Sequence, residues 1–204
     1  MNLKAIASRG LMPTYVLIAL NTVAYIYTSI VGGDFIKTGY LPIVLYGQVN
    51  LLVWRGWFWQ LFTSMFVHAH IVHLAGNMFF LLIFGLRAEE LFSAKEYLAI
   101  YLLSGLAGNL LTLLLEPNMI SVGASGAIFG LFGAVTIYIR RAVGQSIISA
   151  LMYAFFLLLL NSGYGVNVVA HFGGLAVGLL LGYWLAATRK RKAITYQLSY
   201  GYRV

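Results

Sequence analysis

Ser125 and His171 are the two side chains of this chain best suited to do chemistry together. Ser125 lies in the run Gly123-Ala124-Ser125-Gly126-Ala127. The flanking glycines let another backbone approach and leave the hydroxyl unshielded. A serine hydroxyl is a poor nucleophile until a neighbouring base takes its proton. A neutral imidazole such as that of His171 does so near physiological pH. The acids are Asp34, Glu89, Glu90, Glu96 and Glu116. All of them fall in connections or at the ends of apolar stretches, away from His171. The pattern therefore suits a Ser-His dyad better than a triad with a carboxylate.

His73 and Asn77 are four residues apart, so on a helix they share a face. With the Ser125 backbone N–H they could donate to the oxyanion that acyl transfer develops. Each residue also has a plainer reading. Ser125 can be a small helix-start residue that caps or eases packing. His171 can be a structural histidine bonded to a carbonyl. His73 and Asn77 can be an interhelical hydrogen-bonding pair. His68, His70 and His73 form a local cluster, but His68 and His73 are five apart and face different ways on a helix. The chain has no cysteine, and neither an embedded carboxylate nor an HExxH pattern completes a metal site. Neither a metal nor a cofactor is expected.

The elements that must position these residues are membrane spans. The 204 residues are 61% hydrophobic and 9% charged, against about 25% charged in an ordinary soluble domain. Mean hydropathy is +0.88. This composition excludes a soluble globular enzyme. At roughly 20 apolar residues per helical span, the length allows about five to seven spans. Six stretches stand out, at about residues 11–31, 70–86, 97–115, 125–139, 146–160 and 168–187. They form one all-α membrane domain over 1–204, with a basic tail at 188–204. Between the first two spans, Gly32 to Ala69 is aromatic-rich and interrupted by Asp34, Lys37, Pro42 and Arg55. It reads as a long external connection, partly embedded in the membrane.

Charge placement sets the topology. With a cytoplasmic N-terminus, Lys4, Arg9, Arg87, Lys95, Arg140, Arg141, Arg189, Lys190, Arg191, Lys192 and Arg203 lie inside, and only Lys37 and Arg55 outside. That puts 11 of 13 basic residues on one side, a strong positive-inside bias. Both termini are then cytoplasmic. The net charge of +8 is a topology signal and contact with anionic lipid, not a nucleic-acid patch. The first span follows a short basic segment, and its length favours retention over cleavage. Spans 2, 4 and 6 all enter from the external side, which places His73, Asn77, Ser125 and His171 at one membrane depth. Ala170, Gly174, Gly178 and Gly182 repeat every four residues along span 6, and Gly126 and Gly130 give span 4 a matching pair. Small-xxx-small stripes let membrane helices touch closely, so packing spans 4 and 6 along them would bring Ser125 to His171.

Taken together, His73 to Asn77, Gly123-Ala124-Ser125-Gly126, and Ala170-His171 with Gly174 and Gly178 resemble the rhomboid family of intramembrane serine proteases. The resemblance runs from about Trp59 to Gly182, with the first span fitting a six-span, prokaryotic-type core. It implies that Ser125 is the nucleophile and His171 the base and acid. It implies that His73, Asn77 and the Ser125 amide form the oxyanion hole, and that Gly123 and Gly126 shape the site. It further implies that Phe129 packs on the histidine where many relatives have tyrosine, and that Glu89 matches a family glutamate at the cytoplasmic end of span 2. The family's Trp-Arg pair falls by distance at Trp59-Gln60, while a literal Trp54-Arg55 lies five residues earlier. The substrates implied are transmembrane proteins, cut in or near their spans. The membrane implied is the prokaryotic inner or plasma membrane, with the site toward its external side. The competing reading is an inactive rhomboid-like protein that binds spans; a small-solute transporter would call for an inverted repeat, and none is visible. Oligomeric state is not encoded in any of these features.

Overall fold

Helix α1 spans Pro13–Gly32, with proline in its first turn, and stops at Gly33, whose φ of +73° is left-handed. The computed structural model in which it is seen describes residues 12–160 and 165–189. Lys4, Arg9, Lys190, Arg191, Lys192 and Arg203, and almost all of the basic tail, lie outside the described residues. After α1 come α2 (Tyr40–Tyr46), β1 (Gln48–Val49), α3 (Asn50–Trp54) and α4 (Gln60–Thr63). Four long helices follow in turn with α5 (Ile71–Leu91), α6 (Ala94–Thr112), α7 (Ser125–Ala142) and α8 (Ile147–Leu160), before the last helix, α9 (Val168–Thr188). Strand β2 (Ile120–Ser121) precedes α7 and pairs antiparallel with β1.

Helices α1, α5 and α9 are each long and apolar enough to cross a membrane. Their surfaces fit that solvent: Val72 is 72% exposed, Leu180 69% and Ile30 65%. Several boundaries differ from the sequence reading, the ends of α6 at Thr112 and of α7 at Ala142 among them. Helix α5 continues to Leu91, past the expected end at 86, and Arg87 pairs with Glu90 on its last turns. Helix α6 starts at Ala94, before the expected 97, because Ser93 and Glu96 form a capping box that satisfies two terminal N–H groups.

Helix α7 is the axis of the bundle, and residues 126–135 are all buried. Lacking a hydrophobic force between helices in lipid, contact depends on small residues. A Cβ on Gly174 would lie 1.9 Å from the Gly126 carbonyl oxygen, and one on Gly178 2.0 Å from that of Gly130. One on Gly182 would lie 2.4 Å from the Ala134 carbonyl oxygen. The contacts advance by four residues on both helices, so α7 and α9 run parallel with their backbones touching. Helix α6 closes the third side, where Gly108 meets the Ala170 carbonyl and Ser104 meets Gly130. Phe84 on α5 packs on Phe132, and α1 docks by Thr14 at Gly85 and Tyr97. The Thr14 N–H donates to Glu89 at 2.7 Å, placing a carboxylate at the positive end of α1.

The ends of the bundle differ in charge. Arg87, Lys95, Arg140, Arg141 and Arg189 gather at one end, and Lys37 and Arg55 lie toward the other. At the basic end Arg189 donates to the Leu91 carbonyl and Tyr138 and pairs with Glu96.

The connection between α1 and α5 is held by buried amides. Gln48 donates to Asn50 and to the Asn109 carbonyl, and Asn50 donates to the carbonyls of Thr112 and Glu116. Gln60 donates to the Val44 carbonyl and accepts from the Val49 N–H, and Trp59 donates to Leu45. The Trp59-Gln60 pair therefore pins this connection by side-chain hydrogen bonds, although Trp59 is as exposed as Trp54. Gly178→Val forces α7 and α9 apart. A loss of about 1–3 kcal/mol or more, the scale of overpacking, is expected as a lowered unfolding temperature in detergent.

Candidate active site

Gly123 sets up the turn that delivers Ser125. Its φ is +122°, a conformation L side chains avoid, and a Cβ there would lie 2.8 Å from His73 Nε2. Its N–H donates to the Ser64 carbonyl at 2.9 Å. Ala124 is the N-cap of α7 and makes no side-chain cap. The Ser125 hydroxyl does not cap the helix either: it lies 2.8 Å from His171 Nε2. Of its two plainer roles, then, capping is absent, and packing remains beside the hydrogen bond.

His171 is 7% exposed. Phe129, one turn after Ser125, stacks on its ring with centroids 4.6 Å apart and planes 24° from parallel. Its Nδ1 has no hydrogen-bond partner among the described residues. The Asp34 carboxylate, on the connection before α5, accepts from the N–H groups of Ile36 and Lys37, which hold it below its usual range.

His73 and Asn77 stand on the first two turns of α5. Asn77 donates one N–H to the His73 carbonyl at 2.9 Å, and its amide has a second N–H. His70 precedes the helix and accepts the His73 N–H through Nδ1 at 3.0 Å. His68 is fully buried, and its ring meets that of His73 edge-on at 5.1 Å. Ser125, His171, His73, Asn77, Gly123, Gly126, Phe129 and Ala170 all line one cavity of about 560 Å³. Phe80, Phe84 and Phe132 give it an apolar flank. Gly130, Gly174 and Gly178 lie deeper, in the helix contact. Among the described residues no three His, Asp or Glu side chains are grouped to hold a metal ion.

Asn167 is a positioning residue that the motifs did not single out. Its Oδ1 accepts from the Ala170 N–H at 3.0 Å, capping α9. Its Nδ2 donates to Thr112 Oγ1 at 2.8 Å and to Ser121 Oγ at 2.9 Å. One side chain thus ties the start of the His171 helix to α6 and to Ser121 of β2, two residues before Gly123. The sequence signal was an Asn just before an apolar run, an ordinary N-cap cue.

The arrangement can remove a proton from a serine hydroxyl in a half-apolar cavity, with amide and imidazole donors close by. Comparison with known proteins gives this geometry a context. A family model described as the Rhomboid domain matches residues 55–188. RHOMBOID-like protein 6, mitochondrial, of Arabidopsis thaliana is 41% identical over 133 residues, covering 62% of this chain and 43% of that one. YdcA of Bacillus subtilis (strain 168), named as a candidate rhomboid protease, is 34% identical over 151 residues, covering 70% of this chain and 75% of its own. Rhomboid-like protease 3 of Toxoplasma gondii is 34% identical over 134 residues, covering 60% and 50%. This chain spans less than half the length of the Arabidopsis protein.

Asn167→Ala leaves the Ala170 N–H and two hydroxyls short of a partner. The expected loss is about 2–4 kcal/mol, from one N-cap and the unmade hydrogen bonds. Thermal unfolding of the purified variant in detergent measures it.

Proposed function

This chain belongs to the rhomboid family, and on that premise we propose that it is an intramembrane serine endopeptidase. Its substrates are transmembrane proteins, cut in or near their spans. The observation that carries the reading is the 2.8 Å contact between Ser125 Oγ and His171 Nε2 inside a cavity that also holds His73 and Asn77.

In this mechanism His171 Nε2 takes the hydroxyl proton as Ser125 Oγ bonds to the scissile carbonyl carbon. The carbonyl electron pair moves to oxygen. That oxyanion accepts from the Ser125 N–H, the second Asn77 N–H and the His73 imidazole. The Ser125 N–H belongs to the first turn of α7, where no intrahelical acceptor exists and the helix dipole favours negative charge. The His171 imidazolium then protonates the leaving nitrogen, the C–N bond breaks, and an acyl-enzyme remains. Water gives its proton to His171 and attacks the ester carbon. The C–O bond breaks and Ser125 recovers its proton. Phe129 keeps the His171 ring in plane through both halves.

A membrane helix satisfies its own backbone groups and so hides its scissile carbonyl. The substrate must unwind locally, which favours Gly, Ala, Ser or Pro near the cut. The apolar flank of Phe80, Phe84 and Phe132 suits the apolar side chains of such a segment. Helix α8 and the connection before α5 are the candidate access elements. Met152, Tyr153 and Phe156 of α8 all face outward.

The helices α1, α5, α6, α7, α8 and α9 make six spans of one membrane domain. The basic end faces the cytoplasm and the cavity the external side, as the positive-inside rule requires. YdcA, which aligns over most of its length, favours a prokaryotic cell membrane. Purified protein in proteoliposomes is expected to cut a model transmembrane substrate at a site mapped by mass spectrometry. Ser125→Ala is expected to lower the rate on the order of 10⁴-fold or more. Cleavage that persists in that variant refutes the assignment of Ser125.

A further inference from the structure

The helix that carries His73 and Asn77 is capped by an imidazole. His70 has extended backbone angles, φ −162° and ψ 164°, and its side chain accepts from His73 N–H as the N-cap of α5. The backbone on either side is fixed by the connection. Thr38 N–H donates to the Ala69 carbonyl and Ile71 N–H to that of Ile36, and residue 70 bridges Lys37. The His73 peptide unit is thus gripped at both ends. His70 Nδ1 takes its N–H at 3.0 Å, and Asn77 Nδ2 donates to its carbonyl at 2.9 Å. The His73 ring in turn faces the Gly123 turn that leads to Ser125.

We propose that His70 is a positioning residue for this site and makes it pH-responsive, because only the neutral imidazole can accept from the His73 N–H. Protonated His70 carries hydrogen on both ring nitrogens. It then leaves the His73 N–H unpaired and sets a cation at the positive end of the α5 dipole. The groups around it offer that cation no counter-charge. The His73 ring centroid is 5.7 Å away, and His68 packs on the far side of His73. His171 faces the same cavity from α9. On the connection, Lys37 is cationic and Asp34 is taken up by the N–H groups of Ile36 and Lys37. Among the described residues no carboxylate is hydrogen-bonded to the His70 ring. Protonation of His70 therefore adds a cation beside Lys37 and the start of α5 with no carboxylate to balance it.

The activity readout rests on the protease reading above; the stability readout does not. The test compares full-length wild type, His70→Ala and His70→Ser between pH 8 and pH 5, by cleavage of a model transmembrane substrate and by unfolding temperature in detergent. Serine is a good N-cap that does not titrate, and its hydroxyl reaches the same N3 amide. At pH 8, His70→Ala is expected to cut roughly fivefold more slowly than wild type, the factor that one N-cap supplies, and His70→Ser to restore the rate. By pH 5 the ratio of wild type to His70→Ser is expected to fall roughly fivefold. His68, His73 and His171 are present in both proteins, so a pH dependence of their own appears in both. The unfolding temperature of wild type relative to His70→Ser is expected to fall over the same interval. If no protein cleaves, the protease reading fails while the temperature difference still decides the cap. A wild-type to His70→Ser difference that is flat with pH, in unfolding temperature or in any cleavage seen, overturns the proposal, as does His70→Ala matching wild type at pH 8.

Discussion

Everything at this site depends on two helix backbones being allowed to touch. In lipid the apolar side chains of two helices gain little by meeting, so close contact needs the side chains to be missing. Gly174 against the Gly126 carbonyl, Gly178 against Gly130 and Gly182 against Ala134 supply that absence over two full turns. The parallel register then places the N-terminal turns of α7 and α9 at one level. Ser125 stands one residue before Gly126, and His171 three before Gly174. Side chains on a helix lean toward its N-terminus, so both rise out of the contact into the cavity. A methyl group at any of these glycines would act on the hydroxyl–imidazole distance without touching either group.

The second constraint is that a cavity in a membrane needs walls whose backbone is irregular. The connection above the site cannot satisfy its carbonyls by helix or sheet alone, and an unpaired polar group there is costly. Gln48, Asn50, Gln60 and Asn109 are all buried and serve as the missing donors. They are neutral amides, which cost less to bury than charges. Through β1 and β2 this network reaches Ser121, then Asn167, and so the start of α9. The roof of the cavity and the helix bearing His171 are one hydrogen-bonded unit.

The site was legible in the sequence where spacing carries it. The glycine stripe repeats every four residues, His73 and Asn77 are four apart, and alternating spans put them level with Ser125. The supports were less legible. Asn167, Gln48 and Asn109 act across 45 to 61 residues of chain, and no local period announces such a bond. His70 as a cap was hidden because imidazole is not an expected N-cap residue. Composition marks out α1, α5 and α9 as the long apolar helices. Helix α7 is wrapped by protein and ends in Arg140 and Arg141, and α8 has 14 residues, so neither carries that signal. The family match begins at residue 55, so α1 and the first half of the connection rest on the fold itself.

The most direct measurement is covalent labelling of the purified protein with a fluorophosphonate, read by intact mass and peptide mapping. The account predicts one adduct, on Ser125, that disappears in His171→Ala and is strongly reduced in Gly174→Val, where the serine is intact but the helices are held apart. A wild-type protein that takes no label, or an adduct on Ser125 that forms equally well without His171, would contradict it.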